Sequence, residues 1–151
     1  MKNLFDAAVA NQVKTRLGKL EPQSERRWGK MTLAQMLAHC SVSMQWAVGE
    51  VVPEKGALPV RLIGWLVKPM VFRNEDPLRK NSPTAKSLIV ADVRDLSKER
   101  ERLSGLIDKF AAGGAAGCTN NLHSFFGKLK PEEWAILMYK HLDHHLRQFG
   151  V

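Results

Sequence analysis

The sequence has no long apolar run. Its least polar stretch, Leu58 to Phe72, is interrupted by Arg61, Lys68 and Pro69, short of the ~20 consecutive apolar residues that span a bilayer. The first twenty residues, MKNLFDAAVANQVKTRLGKL, lack the apolar centre and small-residue cleavage site of a signal peptide. These absences predict a cytoplasmic protein with no membrane partner. Cysteine is scarce: Cys40 and Cys118 form no CxxC pair, which excludes a cysteine-only zinc site, and a disulfide is not expected in a reducing compartment. Cys40 adjoins His39, but neighbours on a helix point about 100° apart. The two therefore do not pair as nucleophile and base, and Cys40 is expected to be a small buried apolar residue. No Glu-x-x-His occurs, which argues against a di-iron carboxylate bundle. The HExxH motif of zinc proteases is also missing.

The net charge of +8 is carried by 23 basic against 15 acidic residues. Most basic residues alternate with acids, as in RDLSKERERL, and no stripe of cations interleaved with aromatics appears. The pattern does not favour nucleic acid as a partner. Only the segment from Arg61 to Lys86 has a clear excess, with Arg61, Lys68, Arg73, Arg79, Lys80 and Lys86 against Glu75 and Asp76. It reads either as solvated surface or as a basic rim for an anionic small molecule.

What is present is helical periodicity. Its 151 residues, 44% of them hydrophobic, suit one domain, residues 1–151, with a single core. Phe5, Val9, Val13, Leu17 and Leu20 predict a first helix over residues 3–20. Thr32 and Gln35 have the spacing of a capping box, which starts a second helix that ends before Pro53. A shorter apolar helix is expected over 58–72, where Leu and Trp suit either a core or an interface. An irregular segment over 73–91 follows, with a short extended piece at Ser87–Val90. Leu96, Leu103, Leu106, Ile107 and Phe110 mark a helix over about 93–112, stopped by AAGGAAG. Pro131, followed by Glu132 and Glu133, opens the last helix, which runs to Phe149. Four long helices, one short one and long connections predict an all-α four-helix bundle.

Three of the five histidines fall in KHLDHHLRQF. On a helical wheel Trp134, Met138, His145 and Gln148 lie within about 60° of His141, and Asp143 lies on the far side. His141 and His145, one turn apart on the inward face, form a standard chelate for a divalent ion. A third ligand must come from another helix, and His39 is the only histidine on the second. Its face carries Gln35, Ser43 and Trp46, a mixed setting at the edge of the core. His144 could replace one of these ligands or support them from behind. His123 suits the pocket mouth or a surface loop. Gln35, Trp46, Trp134 and Gln148 are candidate pocket-lining groups on geometry alone. Three neutral imidazoles would leave a mononuclear ion its full charge and an open position, the pattern of a catalytic site. Three other readings stay open: a non-catalytic metal- or ligand-binding module acting in stress response, a nucleic-acid-binding domain, and a plain helical protein without metal.

MLAHC on the second helix and HLDHHLRQF on the last resemble the DinB/YfiT-like superfamily of metalloenzymes, whose pattern is a histidine in the second helix and HxxxH in the last. The motif is often written H-x-x-H-H-R-x-Q; here His141, His144, His145, Arg147 and Gln148 stand in it with Leu146 before the arginine. More narrowly, FFGKLKPEEWAILMYKHLDHHLRQFGV looks like a subfamily described only as a domain of unknown function. The resemblance covers the whole chain. It implies an up-down-down-up four-helix bundle, commonly a homodimer, with zinc, nickel or a similar ion (iron or manganese being alternatives) on His39, His141 and His145. It also implies transfer of a low-molecular-weight thiol to an electrophilic small molecule. Hydrolysis is the alternative chemistry.

Overall fold

Capping chemistry sets most of the helix boundaries. In the computed structural model, which describes residues 1–151, the order is α1 (Ala7–Gly18), α2 (Leu33–Ala47), α3 (Leu58–Arg73), a 3-10 turn (Lys86–Leu88), α4 (Leu96–Gly113) and α5 (Pro131–Gln148). Asp6 accepts the Ala8 N–H and opens α1 four residues later than the apolar periodicity suggested. Thr32 and Gln35 form the expected capping box. Asp95 caps α4 through the Lys98 N–H. Pro131 takes the first turn of α5, where Glu133 reaches back to the Lys130 N–H. Each such cap satisfies a backbone donor that the helix leaves unpaired.

The chain is all-helical, with five α-helices and no strand; an isolated bridge joins His123 and Gly127. No helix is long and apolar enough to cross a membrane. A cluster of 24 buried residues forms the core. Val13 and Leu17 of α1, Leu37 and Met44 of α2, Ile107 and Phe110 of α4, and Met138 and Leu142 of α5 belong to it. α2 and α1 each pack on both α4 and α5, whereas α3 touches only α5 among the helices. α2 is buried on nearly every side, as expected of a helix enclosed by its neighbours.

Three contacts pin α3 to this core. A Cβ on Gly64 would collide with the Phe125 carbonyl oxygen, so glycine allows the helix to lie directly on the loop before α5. Lys68 Nζ bonds Glu133 Oε2 at 2.9 Å and the Lys128 carbonyl at 2.8 Å. Lys140 Nζ, reaching out from α5, donates to the Val71 and Asp76 carbonyls at 2.8 and 3.1 Å. That places a cation on the unpaired carbonyls at the C-terminal end of α3.

One local expectation is corrected. Ser87–Val90 is not an extended piece: Lys86–Leu88 coil into a 3-10 turn, with no neighbouring strand to pair with, and Leu88 packs against the core. Asp143 lies opposite His141, as the helical wheel placed it. The far side of α5 faces α1, and there the carboxylate is buried, bonded to Arg16 Nη1 at 2.6 Å and Arg147 Nε at 2.7 Å.

Candidate metal centre

α2 supplies His39, and successive turns of α5 supply His141 and His145. One ring nitrogen from each histidine lies within 4.8 Å of those of the other two. The three rings meet edge to face, with centroids 4.7, 4.8 and 4.9 Å apart. His39 and His145 are buried. His39 thus sits deeper than the core-edge position its mixed helical face suggested, because α5 and the segment after α3 close over it.

The far nitrogen of each ring is tied down. His39 Nδ1 donates to the Leu88 carbonyl at 2.8 Å, an acceptor only. His145 Nδ1 donates to Gln148 Oε1 at 2.8 Å, and the Gln148 amide nitrogen in turn donates to the Trp28 carbonyl at 2.7 Å, which fixes the orientation of the carboxamide. Ser43 Oγ gives its proton to the Cys40 carbonyl at 2.8 Å and so accepts from His141 Nδ1 at 2.9 Å. All three imidazoles therefore carry hydrogen on Nδ1 and a lone pair on Nε2.

This proton arrangement makes the contact between His39 Nε2 and His141 Nε2, at 2.9 Å, a meeting of two lone pairs. Two neutral acceptors repel at that distance, and a cation between them removes the repulsion. An ion bound at roughly 2.0–2.1 Å to each nitrogen and subtending about 90° would hold them at such a separation. A shared proton is the other cation to consider, and burial opposes it. The His141 pKa is held well below its usual value, first by burial and then by His145 and His39. His145 is pushed down to about 3 by burial and by His39. His39 is lowered by burial despite its bond to Leu88. The residues fit a divalent ion: the donors are deprotonated, oriented and convergent.

The other candidates divide. Gln148 stands directly behind His145. His144 is not among the three converging donors: its Nδ1 donates to the Leu78 carbonyl at 3.2 Å, and its ring lies edge-on to His145 and Trp28. Its partner thus lies in the segment after α3. His123 is not a solvated loop residue. Its ring packs against Trp46 and Trp134, and burial pushes its pKa down to about 4. Its Nδ1 accepts the Phe125 and Phe126 N–H groups, so that nitrogen serves the loop. Trp46 and Trp134 are fully buried, and the Trp134 Nε1–H has no partner. Gln35 does not line the centre; its side chain completes the α2 cap and donates to the Asp92 carbonyl at 3.3 Å. Cys40 is buried with its thiol pKa raised by desolvation and its sulfur against Met36, as expected of an inert core residue.

Sequence reasoning placed Ser43 on the His39 face without a role, and it missed Leu88. Ser43 lies one turn after His39, and that spacing could have flagged it. Leu88 acts through its carbonyl, for which no side-chain signal exists. A surface hollow of about 410 Å³ between Pro22, Arg26, Thr32 and Phe149 includes none of the histidines, so the centre does not open into that hollow.

No curated protein and no solved structure matches this chain. Residues 4–150 match a family model described as a protein of unknown function (DUF1569). With nearly its whole length covered by that model, the chain belongs to the DUF1569 family.

Proposed function

We propose that this protein is a metal-dependent enzyme in which His39, His141 and His145 hold one divalent ion, zinc or nickel before iron or manganese, and that it transfers a low-molecular-weight thiol to an electrophilic small molecule. The observation that carries the reading is three histidines whose ring nitrogens gather within 4.8 Å of one another, each ring held by a hydrogen bond at Nδ1. The reading includes membership of the DinB/YfiT-like superfamily, with α1, α2, α4 and α5 as an up-down-down-up four-helix bundle and α3 as the short extra helix.

Such an ion would supply Lewis acidity, lowering the pKa of a coordinating thiol toward neutrality. The protein's own residues do the rest. Leu88, Ser43 and Gln148 keep each ring proton on Nδ1 and each ring in place. Burial of His39 and His145 strengthens charge interactions inside the site. Lys80 stacks on Trp28 with its Nζ 4.3 Å from the ring centroid, and Trp28 touches His144. A cation of the basic segment near His144 supports the reading of a thiol that bears a carboxylate.

One feature of the cluster favours a thiol over hydrolysis. The convergent group contains only histidines, and none of the five histidines bonds a carboxylate. A thiol begins at a pKa of about 8.5, so coordination ionises it outright at neutral pH, whereas metal-bound water is brought only to about 7 and would have no carboxylate here to take its proton. The test is titration of the cobalt(II)-loaded protein with 2-mercaptoacetate, followed by near-ultraviolet absorption. A sulfur-to-cobalt charge-transfer band in the wild type, absent from His141→Ala/His145→Ala, is expected. Cobalt loading without such a band would overturn the thiol reading.

A further inference from the structure

The outward face of α3 is apolar along most of its length. Leu58, Leu62, Ile63, Trp65, Leu66 and Met70 are each between 54 and 73% exposed. Together they present on the order of 800 Å², more than the largest apolar patch of a typical monomer and about what each partner of a standard interface contributes. The whole surface agrees: 8665 Å² for a 17.0 kDa chain is roughly 900 Å² above the ~7700 Å² expected of a compact monomer of that mass. The exposure does not come from a loosely held helix. Gly64 seated on the Phe125 carbonyl, Lys68 on Glu133 and Lys140 on the carbonyls at the far end hold α3 with this face outward.

We propose that this face pairs with the same face of a second copy of the chain. A two-fold contact sets each patch against itself, so a patch with a net charge meets that same net charge. A chain of net charge +8 therefore self-associates most readily through a surface from which cations have been cleared. α3 meets that condition from Leu58 to Met70: Lys68 is drawn inward onto Glu133 and Lys128, Arg61 is half-buried at the flank, and Arg73 lies beyond the patch at the helix end. A helix lying on an anionic membrane would instead need its cations free at the border of the apolar face. Pairing would also brace the metal centre, because α3 leads into the segment whose Leu78 and Leu88 carbonyls bond His144 and His39.

Sedimentation velocity on the full chain tests this, with Leu62→Glu/Leu66→Glu and Trp65→Ala beside the wild type. The wild type is expected to sediment at twice the chain mass at micromolar concentration and to remain so in high salt. The double variant is expected to be monomeric with unchanged helical circular dichroism. Trp65→Ala, which fills no internal space, should weaken the dimer at least tenfold and keeps the test valid if the double variant fails to fold. A monomeric wild type, a dimer undisturbed by Trp65→Ala, or a monomer that co-sediments with phosphatidylglycerol vesicles would each overturn the proposal.

Discussion

His39 and His141 face each other through Nε2 atoms 2.9 Å apart, and the protons of both rings are held on the opposite nitrogens by the Leu88 carbonyl and Ser43 Oγ. The pair belongs to two helices that meet in the core, so the repulsion cannot be relieved by a side chain swinging into solvent. Several measurable consequences follow from this arrangement and its surroundings.

Removing the acceptor behind a ligand should weaken the ion without abolishing the site. Gln148→Leu leaves His145 Nδ1 without its partner and the Trp28 carbonyl without its donor. Metal affinity is expected to fall about 10- to 100-fold, the usual effect of losing such a supporting bond, as read by competition with a chelating dye. Unchanged affinity would show that Gln148 does not orient the ring.

Gly29 lies at φ +81°, and a Cβ there would run into the Gln148 carboxamide. Gly29→Ala should therefore destabilise the fold by about 1–3 kcal/mol in urea denaturation, from backbone strain. It should also reproduce part of the Gln148→Leu affinity loss, whereas Gly105→Ala on α4, with open space around it, should do neither.

The metal-free protein should lose stability on mild acidification. His145 and His123 have folded-state pKa values pushed down to about 3 and about 4, and His39 and His141 are lowered as well, in each case chiefly by burial. The unfolded chain binds protons at its histidines near pH 6.5, while the folded chain does not. As the unfolded state holds more protons, stability is greatest above that pH and falls as pH drops below it. Urea midpoints between pH 7 and 5, before most carboxylates titrate, should decline steadily. His123→Gln should flatten part of the slope, and a flat wild-type profile would contradict the burial of these rings.

Asp143 supplies a control within the same helix. Its carboxylate joins Arg16 and Arg147, and both arginines keep access to water, so losing the carboxylate strands neither charge in the core. Asp143→Ala is expected to cost about 1–3 kcal/mol of stability and to leave metal stoichiometry unchanged, as checked by urea denaturation alongside elemental analysis.

Features that depend on near neighbours in sequence were legible before the structure. The Thr32–Gln35 cap, the Pro131 start of α5 and the His141–His145 turn all lie within one or two helical turns, where helix geometry dictates the outcome. Features set by a distant element were not. Asp143 reads only as remote from His141 until α1 brings Arg16 to it, and Ser87–Val90 reads as extended until no partner strand is found. The apolar pattern of α3 suits a core helix or an interface equally; only the placement of Gly64 and Lys68 shows which face is turned out. His39 could be matched to the α5 pair by its helix, but its burial and its Leu88 partner come from a segment 49 residues away.

Elemental analysis of the purified, untagged protein beside His141→Ala/His145→Ala tests the central claim most directly. The account predicts about one equivalent of a divalent metal in the wild type, lost in the variant while helical circular dichroism is retained. A wild type that holds no metal even after incubation with zinc, nickel, iron and manganese would contradict it.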